Sequence, residues 1–346
     1  IFLALFFIYC GGDGDDNGEE TKIQGDKFNS GGSIGDLLIY TLDTNNLLYS
    51  YTIIESSFGL NGQSASGSLI ANPDGTYSPT SDPKSHIILV KNKNQANVFI
   101  VGSAKVNSSD MYFAGVPQIT TNYTPEEIEG VYNYISFECS DPVQNNQCTS
   151  GYGAYYGSFK LYADGTWDSC SDGDWGVNVA CSDTASGTWS DNGNGTISVQ
   201  IAGGTTIGTA MLVPSANGGK IIVVDLKDRP PDAGPGLFIG VKKTDLSGED
   251  LSGAYKYVST EGYYGTATVP DPAQSSDPNT YQIVDTDPNG QTTTKSGTIT
   301  RNTPWNGWLK LDDVSSYSYA LILPGEGVFL YLDPNDNTWI GMGGTP

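Results

Sequence analysis

Internal repetition is the feature of this sequence that most limits the folds open to it. Three segments each contain an apolar run, a polar loop of variable length and a second short run with an aromatic residue and a glycine: 97–116, 220–241 and 327–342. The segment after the first copy, 123–136, is matched by 246–259 after the second. Repetition of one unit predicts three related domains, at residues 35–121, 122–243 and 244–346.

Two shorter similarities extend the repeat. The segment "LLYSYTII" (47–54) is interpreted as the first domain's counterpart of 123–136. The segment "GSLIANPDGTY" (67–77) parallels "GSFKLYADGTW" (157–167). Both similarities support the interpretation of three related domains.

Apolar residues within the units recur at every second position, as in "GTISVQI" (195–201). This alternation indicates strands with one buried face. The pairs Asp74-Gly75 and Asp164-Gly165 lie between such runs and suit tight hairpin turns. The best helical signal, Thr124 to Glu127, predicts a single turn. The sequence therefore predicts an all-β protein of three tandem antiparallel meander domains, built either as small barrels or as β-sandwiches.

A short helical turn followed by Gly130-Val131-Tyr132, or by Gly253-Ala254-Tyr255, opens two of the units. This arrangement resembles the lipocalin-like (calycin) family of small β-barrels. The resemblance implies an apolar ligand inside the barrel, although small barrels also fill their interior with side chains.

The formal net charge of -23 argues against nucleic acid and anionic membrane surfaces as partners. It is consistent with a well-hydrated surface or with one that attracts cations. Four loop aspartates are weak calcium candidates, and no other cofactor is expected: Asp172, Asp174, Asp333 and Asp336.

The first ten residues consist of an apolar run, Ile1 to Tyr9, that ends at Cys10. The run is shorter than the roughly 20 residues that span a bilayer but fits the core of a signal peptide. An apolar run ending at a cysteine resembles bacterial lipoprotein signals, which implies lipid attachment at Cys10 and membrane contact through that anchor. An uncleaved anchor and an incidental cysteine are the alternatives. Residues 11–34 are predicted to form an acidic, flexible tether.

The other four cysteines lie between residues 139 and 181: Cys139, Cys148, Cys170 and Cys181. In an exported protein they predict two disulfides, with local pairs (139–148 and 170–181) or crossed pairs. Spacing of the C-x-x-C type, which favours zinc, is absent from the sequence.

Catalytic motifs are missing from the sequence, and its one histidine, His86, has no recognisable partner. We therefore expect a protein that is not an enzyme. Glycine-flanked aromatic residues are candidates for a surface that binds glycans or partner proteins. They are Tyr155, Tyr156, Tyr263, Tyr264, Trp305 and Trp308.

Together these features predict a non-enzymatic bacterial lipoprotein, exported to the outer membrane or cell surface, with a binding, adhesive or structural role. The alternatives are a lipocalin-like carrier of a small apolar ligand and a subunit of an extracellular assembly.

Overall fold

The computed structural model describes residues 23–106, 109–144, 148–175, 181–214, 219–229, 234–275 and 277–346. These residues form three antiparallel β-barrels in tandem, each closed and each with eight strands. The predicted all-β fold with three small barrels is confirmed, and the sandwich alternative is wrong because each sheet closes on itself. Cys10, the predicted signal peptide (1–10) and residues 11–22 of the predicted tether lie outside the described residues.

Each barrel is a simple meander in which every strand pairs with the next and the last strand pairs with the first. Barrel 1 comprises β1 Asp26–Gly32, β2 Asp36–Asp43, β3 Leu48–Ser56, β4 Ser64–Ala71, β5 Tyr77–Pro79, β6 Ile87–Lys91, β7 Asn97–Val106 and β8 Ser109–Pro117. Barrel 2 comprises β9 Gly130–Cys139, β10 Tyr152–Leu161, β11 Thr166–Ser171, β12 Asp183–Asp191, β13 Ile197–Ile201, β14 Thr206–Val213, β15 Ile221–Leu226 and β16 Gly236–Lys242. Barrel 3 comprises β17 Gly253–Ser259, β18 Tyr264–Val269, β19 Thr280–Thr286, β20 Thr292–Arg301, β21 Trp308–Asp312, β22 Tyr317–Leu323, β23 Val328–Asp333 and β24 Asp336–Gly344.

The predicted tether extends too far, because its last part is the first strand of barrel 1. Strand β1 pairs with β2 on one side and with β8 on the other. Its sequence, DKFNSGG, is mostly polar, but most of the strand is buried. Phe28 lies in the core of barrel 1, and the small residues allow close packing. Barrel 1 therefore begins before residue 35.

The internal similarities are only partly equivalent in space. The three strongest repeats coincide with the last two strands of each barrel, starting at β7, β15 and β23. In contrast, 47–54 falls on the third strand of barrel 1, not on its first. The turn at Asp74-Gly75 follows the fourth strand of barrel 1, whereas the turn at Asp164-Gly165 follows the second strand of barrel 2. Those two interpretations are wrong because period-two strands of similar composition match one another whatever their place in the barrel.

The helical turn predicted before barrel 2 is α1, Pro125–Ile128, which begins with a capping box at Thr124. Among the described residues, no helix is long and apolar enough to cross a membrane. The tyrosines of the two Gly-x-Tyr motifs play the same role. The hydroxyl of Tyr132 donates to Ile128 O (2.7 Å), and that of Tyr255 donates to Leu251 O (2.8 Å). Each ties the start of its barrel to the segment that precedes it.

Each barrel has its own interior core, and aromatic side chains cover glycines on the next strand in all three. Tyr49 faces Gly67, Trp167 faces Gly187, and Tyr281 faces Gly297, each pair joining the third and fourth strands of a barrel. A ring lies within about 3 Å of where a Cβ would stand at each glycine. These glycines are therefore required because the ring occupies the space of a side chain.

A fourth core lies between the barrels, and we call it the central cluster. It includes Leu37, Ile88, Phe99 and Val116 of barrel 1, Ile135, Phe137, Val223 and Ile239 of barrel 2, and Trp308, Leu321, Leu330 and Met342 of barrel 3. Strands that contribute to it are buried on both faces: Val223 lies in the central cluster while its neighbours Ile222 and Val224 line barrel 2. This explains why the repeats contain uninterrupted apolar runs such as "IIVV" and "VFLYL". The three barrels pack around one shared core.

Candidate functional site

Barrel 2 contains a cavity of about 260 Å³ that is open to solvent along β12, where the lining residues Asp183 and Ala185 are exposed. Its walls are mainly aromatic and aliphatic, and its lining includes Tyr134, Phe159, Leu161, Trp167, Val199, Ile201, Ile207, Ile222, Val224 and Phe238. The volume lies just below the range of about 300–1,000 Å³ that is usual for drug-sized ligands. The cavity therefore suits a small molecule.

The space exists because one wall of the barrel carries small side chains. The cavity-facing residues of β11 and β12 include Ser169, Ser171 and Ala185, and Gly187 lies under the Trp167 ring. In barrel 1, by contrast, stacked rings occupy the interior: Tyr40 lies 4.7 Å from Phe113 and 6.0 Å from Tyr49, measured between ring centroids.

A group of aromatic rings in mutual contact lines the cavity on β9, β10 and β16. Tyr134 stacks on Phe238 with centroids 4.4 Å apart, and Phe159 meets Phe238 edge to face at 5.1 Å. Burial raises the pKa of Tyr134 above its ordinary value, so its hydroxyl stays neutral. Trp167 is held by a bond from its Nε1 to Gln200 O (2.9 Å). These contacts fix the rings as a rigid, largely apolar surface.

One end of the cavity is polar. Arg229 and Glu138 both line it and form an ion pair of 2.5 Å between Nη2 and Oε2. Glu138 also accepts a bond from Ser136 Oγ (2.8 Å). Arg229 Nε is buried and has no hydrogen-bond partner among the described residues. A ligand with one acceptor atom would satisfy this donor.

Both disulfides lie at that polar end. The structure pairs Cys139 with Cys148 and Cys170 with Cys181, so the local connectivity is confirmed and the crossed alternative is wrong. Cys139 follows Glu138 at the end of β9, and Cys170 precedes Ser171 at the end of β11. Because β9 and β11 run in the same direction and end at the same rim, both disulfides lie beside the polar end of the cavity.

The predicted aromatic surface is wrong for its two tryptophans. Trp305 is 5% exposed and Trp308 is fully buried, and both belong to the central cluster. Tyr156 packs on them, with its ring centroid 6.0 Å from that of Trp305. The glycine-flanked turn "PWNGW" folds back into the seam between barrels 2 and 3, because indole rings gain more by burial there than on the surface.

The four predicted tyrosines lie in different places. Tyr155 and Tyr263 are exposed, at 42% and 36%, whereas Tyr156 and Tyr264 are half-buried. They do not form one continuous platform, since Tyr156 packs on Trp305 and Tyr264 stacks on His86.

The four weak calcium candidates have protein partners. Asp174 is buried in an ion pair with Lys243 (2.5 Å), and Asp172 accepts a bond from Ser182 Oγ (3.2 Å). Asp333 and Asp336 accept bonds within their own turn, from Asn335 N and Thr338 Oγ1. Within the described ranges, no group of three or more His, Cys, Asp or Glu side chains could hold a metal ion.

The lipocalin-like resemblance implied a ligand inside a barrel, but sequence reasoning did not identify which barrel contains the cavity or which residues line it. The sequence does contain a signal for this cavity. Small residues recur at alternate positions of "TWDSCS" (166–171) and "DTASGTWSD" (183–191), whereas the other strands of barrel 2 have large residues at their inward-facing positions. That pattern predicts a cavity only when the two strands are known to be neighbours.

Comparison with known proteins leaves the chain without an assigned family. Neither a family model nor a curated protein matches it. Among solved structures, it is similar to the DNA polymerase III subunit beta from Pseudomonas aeruginosa (5% identity, 93% of this chain and 92% of that chain, TM-score 0.15). It is also similar to the DNA polymerase sliding clamp from Bacillus subtilis (7% identity, 92% and 90%, TM-score 0.14). At such TM-scores, the likeness carries no argument about fold or function.

Proposed function

We propose that this protein is a non-catalytic, exported lipoprotein whose second barrel binds a small, largely apolar ligand. The observation that carries the proposal is the cavity inside barrel 2, which has rigid aromatic walls and a polar end. A concave, mostly apolar site with a few polar groups is the usual form of a small-molecule site. The two disulfides support export, because such bonds persist in oxidising compartments.

A binding role in barrel 2 leaves barrels 1 and 3 as supports. Their strands hold the outer face of barrel 2 through the central cluster, so its shape is set before any ligand arrives. A preformed cavity binds a ligand without the entropic cost of ordering the protein. Edge-to-edge assembly is the less favoured alternative, because each described sheet is closed and leaves no free edge strand.

The test is a fluorescence titration of the full chain, purified from an oxidising compartment, with 1-aminoanthracene as the probe. We expect saturable binding at one site, accompanied by a change in tryptophan emission because Trp167 lines the cavity. Ala185→Phe fills the cavity from β12 and is expected to raise the Kd about tenfold or more.

The matched control is Ser186→Phe, which adds the same ring at the next position. Ala185 and Ser186 are both exposed, but only Ala185 lines the cavity, because neighbouring residues of a strand point to opposite faces. Its Kd should equal that of the wild type. Absence of binding to the wild type, or equal affinity in the two variants, would show that the barrel does not hold the probe.

A further inference from the structure

A second cleft lies between barrels 1 and 3 and has a volume of about 440 Å³. One wall is the loop from Asp82 to His86 of barrel 1. The other is formed by two hairpin turns of barrel 3, at 261–264 and 286–290. The cleft has no lining residue in common with the barrel 2 cavity, and its volume falls within the usual range for ligand sites.

A locked aromatic pair forms part of this cleft. The His86 imidazole stacks on the Tyr264 ring with centroids 3.8 Å apart and planes at 9°. The Tyr264 hydroxyl donates to Asp74, and Lys256 Nζ lies 3.5 Å from the same carboxylate. The flat surface is thus held in place from both barrels.

Two polar groups of the cleft keep unused hydrogen-bonding capacity. Nδ1 of His86 is buried without a partner among the described residues, and Glu261 has only a long contact of 3.5 Å from Thr338 Oγ1. Burial lowers the pKa of His86, so its imidazole is neutral at pH 7. One ring nitrogen can therefore accept a hydrogen bond. By contrast, Asp82 and Asp287 already accept bonds within their own turns.

The charge and polarity of the lining narrow the class of ligand. Asp82, Glu261 and Asp287 outnumber Lys84, so an anionic ligand would be repelled. A wholly apolar ligand would remove water from these groups and leave them unpaired, which costs free energy. A neutral molecule with several hydroxyl donors and apolar C–H faces matches both the acceptors and the aromatic pair.

We propose that the cleft between barrels 1 and 3 is a binding site for a neutral saccharide. Sugar hydroxyls donate to Glu261 and to His86, and the C–H face of a sugar ring packs against the aromatic pair. The site is independent of the ligand in barrel 2, so the protein has two sites of different chemistry on one rigid frame.

The test is saturation-transfer NMR of the full chain with neutral disaccharides and trisaccharides of glucose, galactose, mannose and N-acetylglucosamine. We expect saturation transfer to at least one of them. Glu261→Gln and His86→Phe should each raise its Kd about tenfold, because the first replaces one charged acceptor oxygen with an amide donor and the second removes the imidazole acceptor. Phenylalanine keeps the flat ring on Tyr264, so the stacking contact survives in His86→Phe.

Two controls distinguish the loss of a contact in the cleft from general effects of a substitution on the protein. Glu126→Gln makes the same change of charge on an exposed residue of α1, outside the cleft, and should bind as the wild type does. Ala185→Phe should also leave saccharide binding unchanged. The proposal is overturned if no saccharide receives saturation, if both cleft variants bind with wild-type affinity, or if spermidine binds the cleft where saccharides do not.

Discussion

Trp305 of barrel 3 donates a hydrogen bond of 2.8 Å from Nε1 to Oδ1 of Asn133 in barrel 2. The same amide donates from Nδ2 to Asn306 O at 2.8 Å. Both side chains are buried at the edge of the central cluster. One amide thus joins two barrels through both of its polar atoms, and the bond that it accepts from Trp305 is buried.

We expect Trp305→Phe to destabilise the protein by about 1–3 kcal/mol, because it leaves the buried Asn133 oxygen without its donor. The measurement is the free energy of unfolding in urea. Trp339→Phe is the matched control, since Trp339 is only half-buried at the rim of barrel 3. A smaller loss for Trp305→Phe than for the control would contradict the importance of this joint.

We expect Gly187→Ala to lower the stability of the protein by about 1–3 kcal/mol through overpacking. A Cβ at this position would lie 1.9 Å from Gln200 O and 2.8 Å from Trp167 Nε1. The backbone of β13 cannot move away without breaking its pairing with β12. The change is measured as a shift of the urea midpoint. Gly248→Ala is the control, because nothing lies within 4 Å of its Cβ, and it should be neutral or slightly stabilising.

Asp36 should make stability fall as pH rises. Burial raises the pKa of Asp36 from 3.8 to about 6, and the hydroxyl of Ser56 offsets only a small part of that rise. Between about pH 4 and pH 6 the unfolded chain has lost this proton while the folded protein keeps it. Stability therefore declines through that window, by about 3 kcal/mol in all, and the penalty remains at higher pH.

Asp36→Asn should remove this slope and raise the free energy of unfolding at pH 7–8, as measured by urea titrations from pH 2 to pH 8. Asp313 provides a control of opposite sign. Hydrogen bonds from Ser315 and Ser316 lower its pKa to about 2, so its contribution is present above about pH 4 and is lost as pH falls toward 2. Asp313→Asn should therefore weaken the protein at neutral pH. An unchanged slope in Asp36→Asn would assign the pH dependence to other groups, with Asp225 the first to test.

Removal of the disulfide between Cys170 and Cys181 should destabilise the protein by about 2–3 kcal/mol, because a short loop regains its freedom in the unfolded chain. The variant is the double change Cys170→Ser and Cys181→Ser, measured by thermal melting. We also expect weaker 1-aminoanthracene binding, since the disulfide lies next to Ser171 and close to Asp183 in the sequence, and both line the cavity. Wild-type affinity in this variant would mean that the loop does not shape the site.

Several features were readable in the sequence because they depend on neighbours along the chain. Period-two alternation predicted strands, Asp-Gly pairs predicted turns, and three repeats predicted three domains. The sequence left local and crossed disulfides open, and the structure has the local pairs. Where residues were polar and small, as in β1, local pattern failed, because the burial of Phe28, Ser30 and Gly31 comes from strands distant in sequence.

Only the tertiary structure decided what the two faces of each strand contact. The sequence placed Trp305 and Trp308 in an exposed turn, yet a neighbouring barrel covers them. The barrel 2 cavity depends on small residues of β11 lying beside small residues of β12, and the second cleft depends on His86 meeting Tyr264 across 178 positions of the chain. Burial and cavities arise from contacts between segments that are distant in sequence. Because the hydrophobic effect is not directional, a local sequence pattern does not specify which segments associate.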